Sequence, residues 1–235
     1  MKGNLYASWA GLLLCLCLGA CGGNGPQGAG TLQLQAATKG SLDSIGRIVA
    51  QTTQTYKNMD NATLIGKLVD QSKRKREPFN SLAFRELKTR KDVNTDTLAS
   101  IVTQLRNADA LLPLLLIRTL SDKAYLQVPV ELRASVLTDA LDQSKTFNAW
   151  GLPPFYLEDA AKALIECGRS ALPALERLLT NTRPAPVYGS QQYPQYKYRL
   201  CDYALFFIER IQGHADFVLP ASPEERDSLI KNLKP

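Results

Sequence analysis

Five cysteines, one histidine and scattered carboxylates are the residues in this chain that could do chemistry. The cysteines form an N-terminal group, Cys15, Cys17 and Cys21, and a distant pair, Cys167 and Cys201. A thiol acts as a nucleophile when a base or a positive field holds it as the thiolate. His214 is the one imidazole able to serve as that base, and nothing near it in sequence completes a triad. It follows an expected helix end, where a capping or surface role accounts for it. No CxxC, HExxH or Asp-rich loop supplies zinc or calcium ligands, and no glycine-rich loop follows a strand to cradle phosphate. Glu158/Asp159 and Glu224/Glu225 are adjacent pairs, and adjacent residues on a helix point in different directions. They read as acidic helix starts, favoured there by the dipole. No metal and no cofactor is expected, and the chain leans away from enzyme.

Cys21 is different in kind. It closes the run Leu18-Gly19-Ala20-Cys21, behind the apolar stretch Ala10–Ala20 and a positive Lys2. A helix needs about 20 apolar residues to span a bilayer, and this run is about half that, so it reads as a cleaved signal segment. The glycine-rich stretch 22–30 then breaks any continuation. The four-residue run resembles the lipobox of bacterial lipoproteins. The resemblance implies removal of residues 1–20 and acylation of Cys21 by three chains. One buried chain binds only marginally, so several make a durable anchor. An ordinary signal peptide cut after Ala20 is the alternative, and the register of Leu, Gly, Ala and Cys favours lipidation over it. In the lipoprotein family an aspartate after the cysteine retains the protein at the inner membrane. Gly22 stands there instead, which points to the periplasmic face of the outer membrane.

Composition bounds the rest. The formal charge of +6 falls to +5 once Lys2 is removed, too mild for a dedicated nucleic-acid binder. Residues 21–40 hold few large apolar side chains and read as a flexible tether. Residues 41–235 have the size and apolar content of one globular domain.

That domain reads as all-α. Sustained two-residue alternation is missing, no strands are expected, and helical periodicity recurs. It predicts helices near 42–57, 61–74, 79–90, 95–106, 110–120, 129–144, 157–167, 171–180, 197–212 and 222–233. Asn94 or Thr95, Ser170 and Ser222 supply starts, the last two with a proline in the first turn behind them. Gly168 and Gly213 mark ends.

An internal repeat organises the second half. Asp159-Ala160-Ala161-Lys162-Ala163-Leu164-Ile165-Glu166 matches Asp202-Tyr203-Ala204-Leu205-Phe206-Phe207-Ile208-Glu209 at Asp, Ala, Ile and Glu, 43 residues apart. HEAT and armadillo repeats have periods of ~40–47 residues. Residues 155–215 resemble such repeats, down to the Cys-Gly stop before Ala171-Leu172-Pro173. The resemblance implies a HEAT-like α-solenoid of stacked helix pairs, with Arg199 and Asp202 as a pair bridging units; an irregular helical bundle is the alternative. In such a stack Cys201 aligns with Glu158, ~13 Å along the axis from Cys167 at 1.5 Å rise per residue. That exceeds the ~7 Å between Cα atoms that a disulfide allows, so both thiols are expected free and buried.

Three stretches could form surfaces. Residues 147–156 carry Trp150, Phe155 and Tyr156. Residues 183–198 carry Tyr188, Tyr193, Tyr196 and Tyr198. Both are rich in proline and lie between helices, on loops that a solenoid projects from one edge. Exposed aromatics there suit a peptide or a sugar; alternatively Trp150, Phe155 and Tyr156 seal the core. The third stretch, Lys73-Arg74-Lys75-Arg76, ends a helix, as Lys88, Arg90 and Lys91 end the next. The dipole accounts for cations there, and they could also meet anionic lipid. The expectation is a membrane-anchored envelope lipoprotein that binds or scaffolds a protein partner through these loops. A glycan-binding protein, or an envelope enzyme with Glu158 or Asp159 as acid, is the alternative.

Overall fold

The computed structural model describes residues 29–233, with side chains from Asp43 onward. The expected signal segment 1–20, Cys21 and residues 22–28 lie outside the described residues. The chain divides into two units, 1–50 and 51–235. The described part of the first is helical: α1 spans Ala29–Lys57 and crosses into the second unit. Residues 29–40, assigned above to the tether, are therefore helix. Ala, Leu and Gln dominate this segment, and their high helix propensity outweighs Gly30 and Gly40.

The second unit is a succession of short helices: α2 (Asn61–Lys73), α3 (Leu82–Leu87), α4 (Thr95–Leu105), α5 (Leu111–Leu120), α6 (Asp122–Gln127) and α7 (Val130–Gln143). After these come α8 (Asp159–Glu166), α9 (Leu172–Leu178), α10 (Tyr193–Tyr196), α11 (Leu200–Ile211) and α12 (Pro223–Leu233). Their starts are encoded locally. Asp60 accepts from Thr63 N at 2.8 Å, and that amide holds its carboxyl below the usual range. Ser81, Asn94 and Ser121 accept from Phe84, Asp96 and Ala124 amides in the same way. Helix α5 is apolar on nearly every side and is buried from Leu111 to Ile117, with α2, α4 and α6 packed around it. Ten expected helices are present. Periodicity did not reveal α6 or α10, six and four residues long, too short to display a repeating face.

One expectation is corrected. Gly151–Leu152 (β1) and Tyr156–Leu157 (β2) form an antiparallel ladder, so the chain does contain strands. Two residues a side are too few to show alternation in sequence. A Cβ on Gly151, at φ +80°, would stand 2.4 Å from the Tyr156 carbonyl, so this turn admits only glycine.

The repeated segments become α8 and the middle of α11, which pack against each other. Ala161 and Ala204 are fully buried, as are Leu164 and Phe207. The repeat breaks at its acids. Asp159 is exposed beside Arg118, 3.8 Å away, whereas Asp202 is fully buried.

Asp202 has no access to solvent, yet it is well matched. It accepts from Arg199 N at 2.8 Å and from the Arg199 guanidinium at 3.1 and 2.9 Å. Fully buried Arg226 places its Nε 3.2 Å from the same carboxylate, an ion pair without a directed hydrogen bond. The other Arg226 nitrogens donate to the carbonyls of Pro220, Ala221 and Tyr196 at 2.8–3.0 Å. Arg199 reaches out to Asp227 at 2.6 Å, and Asp202 and Asp227 together raise its pKa. Breaking a buried pair leaves an uncompensated charge and costs about 3–5 kcal/mol, whereas an exposed pair contributes under about 1 kcal/mol. Asp202→Ala is therefore expected to lower the unfolding free energy in urea by about 3–5 kcal/mol. Asp227→Ala is expected to lower it by less than about 1 kcal/mol.

Candidate recognition surface

The two aromatic loops are separated by some thirty residues in sequence and meet in space. Phe147 N donates to Pro186 O at 2.8 Å. The Asn148 side chain then imitates a strand: its Nδ2 donates to Tyr188 O at 2.8 Å, and its Oδ1 accepts from Tyr188 N at 3.2 Å. Beyond, Ala185 N donates to Tyr198 O at 2.9 Å and Leu200 N to Arg183 O at 2.9 Å, so the second loop closes on itself. The fully buried Tyr203 of α11 donates its hydroxyl to Gly151 O at 2.6 Å, tying the β1–β2 turn to the core.

From this frame some rings turn in and others out. Trp150 turns in, which removes it from the expected binding surface. It is 0% exposed, packs edge-on against Phe207 at 6.2 Å and donates its indole N–H to Ser144 Oγ at 3.0 Å. A buried indole needs such a partner, and Ser144 provides it. Phe155 and Tyr156 turn out at the β1–β2 turn, 47% and 41% exposed. Tyr188 is 68% exposed, while Tyr193 and Tyr196 are half-buried. The rings are layered: Phe155 lies 5.3 Å from Tyr196, and Tyr196 stacks at 12° on Tyr198, 5.7 Å away. The Arg226 guanidinium covers the Tyr198 ring at 4.9 Å. Burial pushes the Tyr203 phenol well up, and Tyr156, Tyr198 and Tyr193 push it further, in that order.

A residue from the other side of the chain holds the first loop. Glu77, nearly buried, accepts from Ala149 N at 3.1 Å. Burial raises its pKa, and the Ala149 amide, the Thr146 hydroxyl and the Asn148 amide offset part of that. Beside it lies a recess of about 20 Å³ lined by Ser72, Lys75, Ser144 and Thr146 among others.

The remaining candidates lie elsewhere. Lys73, Arg74 and Arg76 are exposed, but Lys75 turns back at φ +56° and pairs with Asp109 at 2.5 Å. Arg90 is structural, donating to the Lys57 and Met59 carbonyls at 3.0 and 2.8 Å. His214 is exposed and contacts Glu209. Glu158 and Asp159 sit exposed at the start of α8, where Asp159 and Glu166 share the Arg118 guanidinium. Cys167 and Cys201 are free and buried, each thiol pushed up to about 11 by burial. Among the described residues no cluster could hold a metal ion, and no helix is long and apolar enough to cross a membrane.

No family model matches the chain, and neither does any curated protein or solved structure.

Glu77, Asn148 and Arg226 were not picked out from the sequence. Glu77 is hidden as the last charge of a basic run, and Asn148 is one polar residue in an aromatic loop. Arg226 carried a readable signal. It falls on the face of α12 that Ile230 buries and Leu229 and Leu233 complete, where a charge demands a partner.

Glu77→Gln keeps an oxygen for the Ala149 amide and removes the charge. The folded carboxyl holds its proton more tightly than the unfolded one, whose ordinary value is 4.5. Its contribution to stability is thus present below that value and is lost as pH rises through the raised folded value. The urea midpoint of the wild type is expected to fall relative to that of Glu77→Gln as pH rises above the ordinary value of 4.5. A constant difference across that rise would show that Glu77 titrates alike in both states.

Proposed function

We propose that this chain is a lipid-anchored, non-catalytic binding module of a bacterial envelope. Cys21 carries the acyl chains at the periplasmic face of the outer membrane. The helical unit is built on HEAT-like pairs, and the face made by 147–156 and 183–198 is its recognition surface. One observation carries the reading: two loops remote in sequence meet and hold Phe155, Tyr156 and Tyr188 out of the core. Exposed rings fixed by packing offer large contact area at small entropic cost, which is what recognition uses and folding does not need.

Further support comes from the repeat. Ala161 and Ala204, like Leu164 and Phe207, take equivalent buried places in α8 and α11, while Arg199 pairs with Asp202 inside the first turn of α11 rather than across units. Catalysis lacks equivalent support, since the histidine, the thiols and the acids are scattered over the described residues. The exposed Lys73, Arg74 and Arg76 suit a second, weaker contact with lipid phosphate, at about 1 kcal/mol for each cation near a charged surface.

The anchor is tested in a diderm bacterium fed labelled palmitate. The wild type is expected to take up label and to sediment with membranes. Cys21→Ala is expected to do neither, and label persisting in that variant would overturn the lipid assignment.

A further inference from the structure

We propose that the recognition surface takes a neutral saccharide chain. This rests on the reading of that face as a binding surface and names its ligand. The first reason is charge. In a chain with 28 basic and 22 acidic residues, Thr146 to Leu157 contains no charged side chain, and neither does Pro184 to Tyr196. These two stretches are the ones that the Asn148–Tyr188 pairing and the Phe155–Tyr196 contact bring together. Protein interfaces concentrate arginine with their aromatics. Here Arg226 is fully buried beneath Tyr198 and turned towards Asp202, and Arg183 and Lys197 stand at the two ends of the second uncharged stretch rather than within it.

The second reason is the kind of polar group on offer. The second loop carries Ser190, Gln191, Gln192 and Gln195 around Tyr193 and Tyr196, and all three glutamines are exposed. An amide donates and accepts at once, as adjacent sugar hydroxyls do. A pyranose also presents an apolar face of C–H bonds, which lies flat on an aromatic ring. The third reason is rigidity. Tyr196 and Tyr198 are stacked, Phe155 leans on Tyr196 at 47°, and the Arg226–Asp202 ion pair closes the far end. A preformed platform binds a stiff ring with little ordering cost.

The test uses the full chain with Cys21→Ala, titrated with cellotetraose and with the N-acetylglucosamine tetramer. A galacturonate tetramer and a polyproline decapeptide serve as controls. Binding is followed by calorimetry and by the ring proton signals of Phe155, Tyr188 and Tyr196. A neutral tetramer is expected to bind and to shift those signals, and the controls are expected not to. Tyr188→Ala and Phe155→Ala are each expected to weaken binding at least about tenfold, ~1.4 kcal/mol. Both side chains are exposed, so their urea midpoints are expected to match the wild type.

Binding that survives both substitutions, or that prefers the anionic tetramer, would overturn the proposal. If the decapeptide alone binds, or cross-linking in cells yields a protein partner lost in Tyr188→Ala, the surface recognises protein. The saccharide assignment then falls while the recognition reading stands. If no probe binds and no partner depends on Tyr188, both fall together.

Discussion

The buried carboxylate of Asp202 is the constraint on which the exposed face depends. A carboxylate without water must be matched, and Arg199 and Arg226 match it from different parts of the chain. Arg226 then has donors left over and places them on the Tyr196, Pro220 and Ala221 carbonyls. One charge in the first turn of α11 thereby fixes the last helix, the segment leading into it and the end of the aromatic loop. The Tyr198 ring lies against the same guanidinium, so the run of rings that reaches the surface at Phe155 begins in an ion pair. Ordering of the surface and stability of the C-terminal helix are one physical problem with one solution.

The other loop has its own buried anchor. Glu77 stands just after the basic run and receives the Ala149 amide. Asn148, next to Ala149, carries that position across to Tyr188. Both sides of the face are thus held from the interior by a carboxylate. One is paired with two arginines, while the other meets only amides and a hydroxyl, and burial raises its pKa. The contrast follows from partners rather than from depth, since both residues are nearly or wholly removed from solvent.

Helix placement was legible because caps and apolar spacing are local. Asn94 and Ser222 each close a first turn from three residues or fewer away, whereas Ser170 caps nothing and Ser121 caps a helix too short to be seen. The buried, free state of Cys167 and Cys201 was likewise legible from the repeat. The site was legible only as two suspicious compositions. That they meet depends on Phe147 reaching Pro186 and on Asn148 reaching Tyr188, contacts forty residues apart in sequence. Trp150 shows the limit most clearly. Its type and its proline-rich setting suit a surface, and only the presence of Ser144 and Phe207 decides that it belongs inside. Residues 29–40 show the opposite error, since their sparse apolar content drew attention away from good helix formers.

The two closed-off thiols have a consequence for how the fold is reached. Neither Cys167 nor Cys201 is needed as a covalent staple, and burial holds both well above the range in which thiolates form at neutral pH. The described unit closes around these two thiols without a disulfide between them. The same native state is therefore open to the chain in a reducing or an oxidising medium. Among the described residues, a Cys167–Cys201 cystine would be an error confined to the unfolded chain.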